Sequence, residues 1–150
     1  MKKSLKHWLL LVVMIATILP MQAADQFVQH KQEGFVWIAN GKALPVLVDN
    51  QEDKGVLRAA NDLLNDANAV TGTTPTLIYT PAGKQALVVG TINSKWIKQL
   101  IASKKIDGAE LKGKTEKFII QTINNPFEGM EQAVVIAGSD KRGTIYGIYE

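Results

Sequence analysis

The stretch that most constrains the fold is a run of five apolar residues, 133–137, which ends at Gly138. Three of the five are β-branched, and an unbroken apolar run of this length is typical of a strand covered on both faces. A polar turn follows, and then Ile145, Ile148 and Tyr149 recur at the spacing of one helical face. The sequence therefore predicts a central strand, a turn and a helix. So little of that helix is present that we expect the chain to be truncated in its last helix.

The same plan occurs earlier in the chain. Residues 86–90 form another apolar run, and Asn93 or Ser94 can then cap a helix that carries Trp96 and Ile97 on its apolar face. Buried strands that each lead into a helix are expected to run parallel in one sheet. The predicted fold class is α/β, with a mixed β-sheet and helices packed on it.

The remaining elements follow from local patterns. Residues 35–38 and 44–48 are predicted as two strands joined by the turn dipeptide Asn40-Gly41. Capping oxygens of Asn50, Glu52 and Asp53 precede a long amphipathic helix. Its predicted buried face carries Val56, Leu57, Ala60, Leu63, Leu64, Ala67 and Val70. Two further strands are predicted, at residues 76–79 and 118–123.

The N-terminal residues have the pattern of an export signal. Lys2, Lys3 and Lys6 precede a charge-free apolar run of about twelve residues, and Ala23 and Ala24 supply small side chains for cleavage. A spanning helix needs about 20 apolar residues, so the mature chain is not expected to span a membrane. The predicted organisation is a signal peptide over residues 1–24, a flexible lead-in over 25–34 and an N-terminal α/β domain over 35–150. The expected location is periplasmic or extracellular.

Charge and cysteine content exclude several classes of function. The net charge of +3 comes from the three lysines of the signal segment, so the mature chain is neutral with histidine uncharged. Without a basic face, nucleic acid is not an expected partner. The chain has no cysteine, and His30 is the one histidine after the signal, so neither a zinc site nor serine–histidine catalysis is expected. We expect no metal and no cofactor.

Other motifs are incomplete. Gly138 and Gly143 have the glycine spacing of a phosphate-binding loop, but Thr144 stands where that loop needs lysine. The two glycines are better explained by close packing of a strand against a helix. Four of the fourteen acidic residues, Glu52, Asp53, Asp62 and Asp66, lie on or next to the polar face of the first helix, where a solvated face explains them. Glu116 and Glu128 have no evident partner for acid–base chemistry. No catalytic residue is predicted.

Two groups of residues are candidates for binding a ligand. Trp37 and Trp96 are possible sugar-stacking platforms, although Trp96 lies on an apolar helix face and is predicted to be core. The clustered polar turn Ser139, Asp140, Lys141 and Arg142 follows a buried strand, and strand ends in α/β sheets are where ligands bind. Helix capping and surface charge are the alternative explanation of that turn.

Part of the amino-acid sequence resembles a known protein family. Residues 133–149 closely resemble the end of the N-terminal domain of glycoside hydrolase family 115, the xylan α-1,2-glucuronidases. Segments 88–91, 111–114 and 116–121 support the resemblance in the same order. More loosely, Arg142-Gly143 and Tyr146-Gly147 look like the small α/β domains that precede the barrels of hexosaminidases and of the other α-glucuronidase family.

The resemblance implies a secreted enzyme that removes glucuronic acid or 4-O-methylglucuronic acid from xylan side chains by inversion. In the family the acid and base lie in a barrel that follows this domain, so the catalytic barrel is expected to be absent from this chain and the fragment inactive. The implied partner is a xylan-derived polysaccharide or oligosaccharide, and the turn Ser139 to Arg142 is expected near the substrate or the domain junction. Arg142 suits a glucuronate carboxylate because its guanidinium can bind one bidentately.

Two alternative functions stay open beside this one. The first is a freestanding carbohydrate-binding or interaction module, and the second is the leading domain of a hexosaminidase-like glycosidase.

Overall fold

The computed structural model describes residues 34–150. The predicted signal peptide and all of the predicted lead-in except Gly34 lie outside the described residues. The strands are β1 (Ile38–Ala39), β2 (Lys42–Ala43), β3 (Val46–Val48), β4 (Leu77–Ile78), β5 (Gln85–Thr91), β6 (Phe118–Asn124) and β7 (Gln132–Gly138). The helices are α1 (Lys54–Thr71), α2 (Lys95–Ala102) and α3 (Lys141–Tyr149), and a 3₁₀ turn spans Gly108–Glu110.

Five strands form one sheet in the order β4-β3-β5-β7-β6. The first four are parallel to one another, and β6 runs antiparallel to β7. The predicted mixed sheet is therefore confirmed, as is the parallel pairing of the two apolar runs that became β5 and β7. Their ladder is in register from Gln85 opposite Gln132 to Thr91 opposite Gly138.

The helices cover both faces of this sheet. Because side chains alternate along a strand, neighbouring residues of β3, β5 and β7 enter different cores. The α2 face contains Leu47, Val88 and Val135 with Trp96 and Leu100, and the α1/α3 face contains Val46, Val89 and Ile136 with Val56 and Ile148.

The N-terminal hairpin differs from its prediction. Asn40 and Gly41 do form the turn, both with positive φ (51° and 70°), but the returning strand is Lys42–Ala43. The predicted strand 44–48 is wrong in its start and its partners, because Pro45 has no N–H and interrupts the pairing. The Pro45 carbonyl instead accepts from Leu87 N at 3.0 Å, and β3 begins after it in the large sheet.

The long helix begins after Asp53, one of the three predicted capping residues, but one residue of its predicted buried face is exposed. Asp53 accepts from Gly55 N at 2.7 Å, and Gly72 ends the helix with a φ of 71°. Val70, predicted on the buried face, is 77% exposed. Val70 lies in the last turn of this eighteen-residue helix, beyond Ala67, the last residue that α1 buries. No helix within residues 34–150 combines the length and apolarity needed to cross a membrane.

Candidate functional site

The polar groups of the fold gather at one edge of the large sheet. The carboxyl ends of β3, β5 and β7 lie there, the three helices begin there, and antiparallel β6 starts there. In open α/β sheets, ligands bind at this edge where neighbouring strands send their helices to opposite faces. In this sheet one such point is between β3, which leads into α1, and β5, which leads into α2 on the other face, and we refer to it as the switch-point crevice.

The switch-point crevice is occupied by the chain's own carboxylates. Asp49 Oδ2 accepts from the N–H of Lys95 at 2.7 Å, the first residue of α2. Glu52 Oε2 accepts from Thr91 N at 2.8 Å, and the Thr91 hydroxyl donates to the same carboxylate. Ser94, predicted as a possible cap of α2, instead donates its hydroxyl to Thr91 O at 2.9 Å. These internal contacts use two amides, those of Thr91 and Lys95, that could otherwise bind a phosphate or another anion.

The predicted polar turn is tied to the start of β6. Asp140 Oδ1 accepts from Gly143 N and thereby caps α3, while its Oδ2 accepts from Glu116 N, both at 2.8 Å. Ser139 Oγ accepts from Lys117 N at 3.0 Å. The N–H groups of Glu116 and Gly143 favour the ionised carboxylate, so they hold the pKa of Asp140 below its ordinary value. Helix capping, the alternative explanation of this turn, is therefore observed, with Asp140 as the capping residue.

Arg142 leaves this turn toward solvent and joins a small exposed cluster. Its guanidinium lies 2.9 Å from Glu116 Oε1 and donates to the Tyr146 hydroxyl oxygen at 2.9 Å. The Tyr146 hydroxyl and then the Glu116 charge raise the pKa of Arg142 above its ordinary value. Glu116 has a φ of 55°, a left-handed conformation uncommon for glutamate. We call Glu116, Arg142 and Tyr146 the Arg142 cluster.

Lys141, the other basic residue of the turn, points away from this cluster. Its ammonium lies 3.8 Å from Asp53 Oδ2, at the N-terminus of α1. The structure therefore brings Ser139, Asp140 and Arg142 together with the start of β6 and separates Lys141 from them. The turn is held by hydrogen bonds on one side and exposes an arginine and a tyrosine on the other.

The glycines around the turn allow these close contacts. A Cβ on Gly143 would lie 2.3 Å from Lys117 O, and one on Gly147 would lie 2.8 Å from Ile136 Cγ2. The predicted role of Gly143 in close packing thus has a geometric basis. Gly143 lies inside the first turn of α3, which begins at Lys141 directly after the Asp140 cap.

The two tryptophans are enclosed in the fold. Trp96 is 6% exposed and meets the edge of Phe127 with ring centroids 5.6 Å apart, as expected for a core residue. Trp37 is half-buried against the α1/α3 core, and its indole N–H donates to Leu44 O at 3.1 Å. Neither ring forms an open stacking surface.

The site offers little for catalysis by itself. Asp49, Glu52 and Asp140 all accept hydrogen bonds from backbone amides, which positions them as structural groups. Across residues 34–150, no three histidine or acidic side chains gather as metal ligands would. Sequence reasoning missed the contact of Glu52 with Thr91 because 39 residues separate them. The spacing of Arg142 and Tyr146, four residues apart on a helix, is a signal that could have revealed their contact.

Comparisons with known proteins place these observations in context. The sequence model of a family described as the N-terminus of glycosyl hydrolase family 67 matches residues 44–150, which include the whole five-stranded sheet. The fold is similar to a solved family GH115 4-O-methyl-α-glucuronidase with specificity for decorated arabinogalactans, at 30% sequence identity and a TM-score of 0.53. That similarity covers 70% of this chain and 12% of the other. No curated protein matches the sequence.

Proposed function

Because the chain belongs to the family of glycosyl hydrolase family 67 N-terminal domains, we propose that it is the noncatalytic leading part of a secreted α-glucuronidase. The parent enzyme hydrolyses glucuronic acid or 4-O-methylglucuronic acid side chains from xylan and inverts the anomeric centre. The family match over residues 44–150 is the observation that carries this proposal. The sequence resemblance pointed to family 115 in particular. The comparisons support a broader statement, that the chain is an N-terminal domain of a glucuronidase family.

The structure is consistent with a leading domain that does not itself catalyse. Inverting hydrolysis needs two carboxyl groups about 6.5–9.5 Å apart with a water between them. The carboxylates at the sheet edge are instead bonded to backbone amides, and the switch-point crevice is filled. The charge pattern of residues 1–24 supports export of the parent to the periplasm or beyond.

The first experiment compares the full-length parent with this chain alone. Both are incubated with 4-O-methylglucuronoxylan and, separately, with uronate-decorated arabinogalactan, and released uronic acid is quantified. We expect the parent to release uronic acid from glucuronoxylan and the isolated chain to release none, because the domain lacks a free acid–base pair. Proton NMR of the first product is expected to show the β-anomer, the signature of inversion.

Three results would contradict different parts of the proposal. A parent inactive on both polymers would remove the α-glucuronidase assignment. Activity confined to decorated arabinogalactan, the specificity named for the similar solved enzyme, would retain the glucuronidase and remove the xylan preference. If the α-anomer appears first, hydrolysis retains the anomeric configuration and the proposed inversion is wrong.

The turn Ser139 to Arg142 has a proposed role in the parent: it fastens this domain to the catalytic module or shapes the pocket there. Its exposed Arg142 is held in place by Glu116 and Tyr146, which reduces the side-chain entropy lost on contact with a partner group. The left-handed backbone at Glu116 is the kind of strain that clusters at functional sites.

Replacing Arg142 by alanine in the full-length parent is expected to lower kcat/KM on glucuronoxylan roughly tenfold. A raised KM at unchanged melting temperature indicates contact with the substrate carboxylate, whereas a lowered melting temperature indicates a domain junction. Arg58→Ala, which changes an exposed arginine of α1 outside the turn, is the matched control and should leave both quantities unchanged. If Arg142→Ala alters neither, the proposed role of the turn is wrong.

A further inference from the structure

The two outermost strands of the large sheet, β4 and β6, are protected very differently against pairing with another strand. The β4 edge has only two residues, and Pro75 and Pro81 flank it. The β6 edge has seven residues and contains neither a proline nor a charged side chain. Sheet proteins usually shield long edges with charges, prolines, bulges or a covering element, because an open edge pairs with other strands. The β6 edge has none of these sequence devices within the strand.

The hydrogen-bond pattern shows which groups of β6 are open. Asn125 N donates to Glu131 O at 2.8 Å, and Ser139 N donates to Lys117 O at 2.8 Å. In an antiparallel ladder, hydrogen-bonded residues alternate with non-bonded ones. Odd-numbered residues of β6 therefore point their backbone groups toward β7, and even-numbered ones point theirs outward. The N–H and C=O groups of Phe118, Ile120, Thr122 and Asn124 have no backbone partner among residues 34–150.

We propose that this edge is a self-association surface, on which β6 strands of two copies pair antiparallel about a twofold axis at Gln121. This inference is independent of the proposed enzymatic function. With Gln121 opposite its own copy, Phe118 pairs with Asn124 and Ile120 with Thr122. All four outward-facing residues of each strand then exchange both hydrogen bonds. A shift of two residues in either direction leaves one of the four without a strand partner, so backbone pairing favours this register.

The side chains of β6 are compatible with the same register. Ile119 lies opposite Ile123 of the second copy, and both belong to the α2 core cluster or pack against it. On the α3 face, Ile120 lies opposite Thr122 of the second copy. Ile120 is 36% exposed in the single chain and would be covered in part by this contact. Apolar and β-branched pairs across antiparallel strands are favourable, and no like charges face each other within the strand. A second copy of the chain therefore matches both the open backbone groups and the side chains of this strand.

The test uses the position on the axis. The purified chain is studied by sedimentation velocity and light scattering over a broad concentration range, and a concentration-dependent dimer is expected. Gln121→Lys and Gln121→Glu each place two like charges opposite one another, so each variant alone is expected to be monomeric. Mixing the two variants in equal amounts pairs lysine with glutamate and should restore a dimer. Gln121 is exposed, and circular dichroism checks that each variant keeps its fold.

Val70→Lys is the control, because Val70 is highly exposed on α1 rather than on the edge, and it should leave the dimer intact. Amide hydrogen exchange is expected to slow at Ile120 and Thr122 as the concentration rises. A wild-type chain that stays monomeric at the highest concentration overturns the proposal. So does a dimer that Gln121→Lys leaves unchanged, since that dimer would use another surface, and so does failure of the charged mixture to pair.

Discussion

Replacing Gly138 by alanine is expected to destabilise the chain by about 3 kcal/mol, a large part of the stability of a typical small domain. The added Cβ would lie 2.2 Å from both the amide nitrogen and the hydroxyl oxygen of Thr144, and 2.6 Å from its Cα. These are mostly backbone atoms of α3, which cannot rotate away. Thr144 is held there because its N–H donates to Asp140 O at 3.0 Å. The strand and the helix would have to separate, and thermal or urea unfolding monitored by circular dichroism measures the loss.

A graded glycine series gives this prediction its controls. Gly143→Ala should be similarly harmful because its Cβ meets the Lys117 carbonyl. Gly147→Ala should cost less, since it meets side chains of Ile136 and Phe118 and gains about 1 kcal/mol of helix propensity. Gly113 has a φ of 70° and open space around it, so alanine there should cost only about 1 kcal/mol of backbone strain. Equal stability of the Gly138 and Gly113 variants would contradict the packing argument.

The fold could be predicted where local pattern and global packing agree. The apolar runs that became β5 and β7 are buried on both faces, so their composition alone identified them as central strands. The cap at Asp53 and the end at Gly72 are local features of α1 and were also predictable. The path of residues 44–48 was not, because the apolar pattern is the same whether β3 returns to the hairpin or enters the large sheet.

The site was predicted in part, for a related physical reason. The turn residues Ser139 to Arg142 were evident as a polar cluster after a buried strand, and α3 is capped there. Its partners at Glu116 and Lys117 are distant in sequence, and only the antiparallel placement of β6 beside β7 brings them near. The position of Glu52 in the switch-point crevice also depends on tertiary structure. From the local sequence alone, Glu52 is predicted only as a capping residue at a helix start.

Removing the Asp140 carboxylate should be among the most harmful changes at the surface of this protein. Asp140→Ala is expected to cost about 2–3 kcal/mol, because it removes the cap of α3 and leaves the Glu116 amide without its partner. Asp107→Ala is the matched control: Asp107 accepts only from Ala109 N at 2.9 Å, at an exposed 3₁₀ turn, and should cost about 1 kcal/mol or less. Urea unfolding at neutral pH compares the two. Equal losses would show that the link to Glu116 contributes nothing.

The same carboxylate predicts how stability changes in acid. The pKa of Asp140 in the folded chain lies below 3.8, its ordinary value, because the amides of Glu116 and Gly143 stabilise the ionised form. Its stabilising contribution is complete above the pKa of the unfolded chain and is lost as the pH falls through the lower folded pKa, since the unfolded state binds the proton first. Asp140→Asn should therefore be less stable than wild type at neutral pH, and the difference should shrink below pH 3.8. A difference that stays constant across this acid range would show that the Asp140 charge does not stabilise the helix start.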